Sequence, residues 1–116
     1  MSDRSPVLAE CQEIIDAARP ATAEQFALIV ERFALHYPEA KLTPQERKLV
    51  MRDWLRLLGH LPADMLEAAA DAYVMSPARF FPTPGQFNAV IERAWNYRQA
   101  LARRARETLD LMGFGE

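Results

Sequence analysis

One cysteine and two histidines leave this 116-residue chain few of the side chains that usually hold zinc. Cys11 alone cannot form an internal disulfide, which fits a reducing compartment. His36 and His60 occur in no His-x-x-x-His or Glu-x-x-His spacing, and there is no Cys-x-x-Cys, so neither a zinc nor a di-iron site is expected. Each histidine falls at the end of a helical pattern, where interaction with the helix dipole is the simpler role. Glycine is scarce: Gly59, Gly85, Gly113 and Gly115 form no phosphate-binding loop. Gly85 opens a helix, but a capping box already uses the N–H groups there. No apolar run reaches the roughly 20 residues of a membrane span. The first residues, Met1 to Pro6, lack the basic-then-apolar order of a signal peptide. A cytoplasmic location is therefore expected. Asp64, Glu67 and Asp71 share one helix face and read as a solvated acidic surface. No catalytic residue, metal or cofactor is expected, and the chain reads as a non-enzyme.

No stretch alternates apolar and polar residues in the period of a strand, so the expectation is an all-α fold. Half the residues are apolar, enough for one domain with a core of its own. Five helices are expected, as a compact bundle with a long C-terminal helix projecting beyond the core. The first runs from Leu8 to Arg19 and is stopped by Pro20. The second follows a capping box at Thr22 and Gln25, with Phe26, Ile29, Val30, Phe33 and Tyr37 on one face. The third follows a box at Thr43 and Glu46, with Pro44 at the first helical position. Its stripe is Leu49, Val50, Trp54, Leu57, Leu58 and Leu61, and Gly59 is placed to end it. Pro62 opens the fourth, with Met65, Leu66, Ala69, Ala72 and Tyr73 inward. A corner from Ser76 to Phe87 then carries Pro77, Pro82 and Pro84 with Phe80 and Phe81. At least one of that phenylalanine pair is expected to seal the bundle. Thr83 and Gln86 form a third box and start the last helix, from Pro84 to about Leu111, roughly 40 Å long. Phe87, Val90, Ile91, Ala94 and Trp95 mark its first half as packed. From Arg98 the apolar pattern thins to Leu101, Ala102, Ala105, Leu109 and Met112, so this half is expected to project or pack loosely. The expected division is a bundle domain at 1–97 and an arginine-rich extension with a flexible end at 98–116.

The net charge of −2 conceals an asymmetry: residues 1–46 carry eight acids and four bases, residues 47–116 eight acids and ten bases. The excess gathers in Arg98, Arg103, Arg104 and Arg106, with no acid from Gln99 to Ala105. Arginine suits both carboxylate and phosphate partners. These four residues, with the terminal aromatic Phe114, form the candidate partner-binding set. Lys48, Arg52 and Arg56, four residues apart along the third helix, form a second basic stripe that could follow a nucleic-acid backbone. The simpler reading of that stripe is a solvated face, partly neutralised by Glu46 and Asp53.

The run from Phe26 to Ile91 resembles a known phage family. An aromatic helix ends in Tyr37-Pro38. Leu42-Thr43-x-x-Glu46, then Trp54 with Leu57-Leu58, then Leu61-Pro62 follow. An alanine-rich helix ends in Ala72-Tyr73, and Phe81-Pro82-Thr83-Pro84-Gly85-Gln86-Phe87 enters the last helix. The order is similar to that of the replicative helicase loader/inhibitor family of tailed phages. The resemblance implies a small helical domain that binds a hexameric replicative helicase, delivers it to an origin complex and blocks it meanwhile. It also implies that the segment after the domain, here Arg98 to Glu116, engages the helicase. Two other readings stand beside it: a small DNA-binding or recombination-control protein, and a virion assembly component that oligomerises through its long helix.

Overall fold

A computed structural model describes residues 4–37 and 41–113, and among them the chain is all-α. The helices are α1 (Arg4–Asp16), α2 (Ala23–Ala34), α3 (Pro44–Leu58), α4 (Ala63–Val74) and α5 (Pro84–Leu111). The chain divides into two compact units. Residues 20–93 form one, built from α2, α3, α4 and the start of α5. Residues 1–19 and 94–116 form the other, built from α1 and the rest of α5.

The helix starts in the larger unit follow from local chemistry. Thr22 and Gln25 close a reciprocal box, with the Gln25 N–H donating to the Thr22 hydroxyl at 3.1 Å and the Thr22 N–H to the Gln25 side chain at 2.9 Å. Thr43 with Glu46 and Thr83 with Gln86 repeat the arrangement at α3 and α5. Each box satisfies two N–H groups that a helix start otherwise leaves orphaned. Accepting the Thr43 backbone N–H, and then interacting with the Thr43 hydroxyl, holds the Glu46 carboxyl below its ordinary pKa. Pro62 caps α4 by backbone conformation alone, with no side-chain hydrogen bond.

The core of this unit is aromatic. Phe33 packs its ring against Tyr37, Trp54, Tyr73, Phe81 and Phe87, with ring centroids 5.2 to 6.5 Å apart. Trp54 lies 4.9 Å from Phe81 and 5.2 Å from Phe87. Tilted and edge-on pairs of this kind add about 0.5–1.5 kcal/mol each beyond burial. Of the two corner phenylalanines, Phe81 joins this cluster and Phe80 is 72% exposed. The Tyr73 hydroxyl donates to the Phe80 carbonyl at 3.0 Å and ties the corner to α4. Burial, with Tyr73 alongside, raises the Tyr37 pKa. Phe26, Leu61 and Leu66 fill the rest of the interior.

Two expectations for α3 change. Trp54, Leu58 and Leu61 are buried, but Leu49, Val50 and Leu57 are exposed. The bulk of Trp54 and the arc it shares with Leu58 complete the contact, so the flanks of the helix stay in solvent. Gly59 ends the helix, yet not by a left-handed turn: its φ is −66° and its N–H donates to the Leu55 carbonyl at 2.8 Å. A Cβ at this position would collide with that carbonyl oxygen. Gly59→Ala is therefore expected to cost about 1–3 kcal/mol, the usual range for forced overpacking, read as a lower denaturant midpoint.

The smaller unit corrects the picture of a loosely held C-terminal half of α5. Ala105 and Leu109 are buried against Cys11 of α1, with Leu8, Ile14 and Ile15 packed around them, and Ala102 is buried too. The small side chains of Cys11, Ala102 and Ala105 add little to a hydrophobic pattern, yet they are buried where α1 meets α5. Cys11 opposes Ala105 and Leu109, and the Ala17 carbonyl accepts from the Arg98 guanidinium at 3.1 Å, so α1 and α5 run antiparallel.

Candidate partner-binding surface

The four arginines singled out from the sequence do not play one role. Arg98 is half-buried, and its guanidinium donates to the Ala17 carbonyl just past the end of α1. There it satisfies a carbonyl that a helix C-terminus leaves open and complements the negative end of the dipole. Arg103, Arg104 and Arg106 are exposed, and none has an ion-pair partner among the described residues. At about 100° per residue, Arg103 and Arg106 lie on one flank of α5 and Arg104 on the other. Phe114 lies outside the described residues.

Lys48, Arg52 and Arg56 are all exposed on the side of α3 away from Trp54 and Leu58. Arg56 is drawn to Asp53 at 3.6 Å, an exposed pair of the kind that contributes little stability. The stripe is real but short, and it has an acid beside it.

A shallow groove of about 240 Å³ opens between α2 and α4. Arg32 and His36 stand on one wall, Glu67 and Asp71 on the other, with Phe33 and Ala70 toward its floor. One arginine faces two carboxylates across the groove, so its lining is slightly acidic and offers no basic site to an anionic ligand. Among the described residues no group of three His, Cys, Asp or Glu side chains could hold a metal ion. No described helix is long and apolar enough to cross a membrane.

Sequence reading passed over one line of residues on α5. Tyr97, Leu101, Arg104, Thr108 and Leu111 recur at alternating steps of four and three, the spacing of a helix–helix seam. Tyr97 is 67% exposed and Leu111 90%. The signal was present but masked by the arginine and threonine within it.

No family model, no curated protein and no solved structure matches the chain.

Proposed function

We propose that this protein is a non-enzymatic phage or prophage adaptor that binds a hexameric replicative DNA helicase, or a replication protein associated with it, to load it, inhibit it or both. The observation that carries the reading is the exposed pair Arg103 and Arg106. Two arginines three residues apart on one flank of a helix, with no acid paired to them among the described residues, suit bidentate recognition of carboxylates on a protein partner. The choice of a helicase comes from the resemblance of residues 26–91. The residues that carry it, Tyr37, Trp54, Tyr73, Phe81 and Phe87, meet in one aromatic cluster, which makes them determinants of a scaffold. The scaffold would present the arginine-bearing helix, and the helix would meet the partner.

Capture of the purified hexameric helicase of the host by the full chain tests this. Arg103→Glu with Arg106→Glu is expected to reduce binding more than tenfold, at unchanged helix content by circular dichroism. Failure of the unaltered chain to bind overturns the reading. Equal binding by the double variant removes the site from α5. The DNA-binding alternative rests on Lys48, Arg52 and Arg56. It requires a mobility shift that weakens steeply with salt and is lost on reversing those three charges.

A further inference from the structure

We propose that the α1–α5 layer of this chain docks face to face on the same layer of a second copy, completing an antiparallel four-helix bundle. Two helices form a single layer, and a single layer leaves one side of each helix unburied. Here the open side carries exposed apolar residues around a few charged and polar ones. On α5 the line Tyr97, Leu101, Arg104, Thr108 and Leu111 lies roughly a third of a turn from the buried line Ala102, Ala105 and Leu109. On α1, Val7 and Ile14 sit to one side of buried Cys11, with Val7 41% exposed. Because both helices are right-handed and antiparallel, these two lines flank the same face of the layer.

Charge points to the occupant. Glu10 borders the Val7–Ile14 line on α1, and Arg104 lies within the line on α5. Both are exposed, and neither has an ion-pair partner among the described residues. A twofold axis parallel to the helices sets α1 of one copy against α5 of the other. Cys11 lies level with Ala105 and Leu109 in the layer, so Glu10 of each copy comes within a helical turn of Arg104 of the other. The same surface then serves on both sides, as an isologous contact requires, and each ion pair forms twice. A foreign helix would need its own matched acid and base. The second copy carries both already. Arg103 and Arg106 stay on the opposite flank of α5, outside this contact.

Sedimentation of the full chain across the micromolar range tests the proposal. A concentration-dependent dimer is expected. Glu10→Arg alone and Arg104→Glu alone should each weaken it roughly tenfold, since each puts like charges at two symmetric places. The two together should restore it. All three variants change exposed side chains, and circular dichroism checks that they fold. A chain that stays monomeric throughout overturns the proposal and leaves the seam to a different helix. A dimer unaffected by the single reversals, or not restored in the double variant, overturns the arrangement.

Discussion

Phe33→Ala is expected to destabilise the 20–93 unit by about 3–5 kcal/mol, the range for losing a buried aromatic ring. Phe33 touches five other aromatic rings supplied by the segment just after α2, by α3, α4, the corner and α5. Its removal opens a cavity that none of those elements can close without moving away from the rest. A domain of this size has a total stability of about 5–15 kcal/mol, so the variant should sit near its unfolding midpoint at modest urea concentrations. Phe80→Ala is the internal comparison. That ring is exposed and contributes only its backbone carbonyl to Tyr73, so its loss should stay within about 0.5 kcal/mol. Equal effects from the two substitutions would show that the aromatic cluster does not hold the unit together.

Ala105→Glu should separate the two units in stability. Ala105 is buried against Cys11, and among the described residues no cation is buried beside it to receive a carboxylate. An unpaired buried charge together with overpacking costs more than about 3 kcal/mol. The few half-buried side chains around Cys11 cannot offset that, so α1 should leave α5. The α5 helix itself should persist, because glutamate is a good helix former. Hydrogen exchange reads the outcome directly: amides of α1 should exchange close to the unfolded rate while those of α2 to α4 keep their protection. Protection of α1 at the original level would mean that the seam with Cys11, Ala105 and Leu109 does not fix it.

What could be read from the sequence follows from the range of the interactions. The three threonine boxes are legible because donor and acceptor lie three residues apart, and their partners need no tertiary context. Stripes such as Phe26, Val30 and Phe33 are legible because one face of α2 is large and apolar throughout. The flanks of α3 are not, since Leu49, Val50 and Leu57 continue the pattern without being needed to fill the core. Which of Phe80 and Phe81 turns inward depends on the path of the corner, which Tyr73 helps to fix from a distance. The pairing of α1 with the end of α5 was hidden for another reason: alanines and a cysteine make up much of it, and such small side chains add little to an apolar stripe. Arg98 belongs to the same group. Its charge is visible in the sequence, but its engagement with the Ala17 carbonyl requires α1 to lie alongside.

The most direct test of the functional account is hydrogen exchange on the full chain with and without the purified hexameric helicase. The account predicts added protection concentrated in α5 from Arg98 to Leu111, on the side carrying Arg103 and Arg106, and no change in α3. Protection confined to α3 around Lys48, Arg52 and Arg56, or an exchange pattern identical with and without helicase, would contradict it.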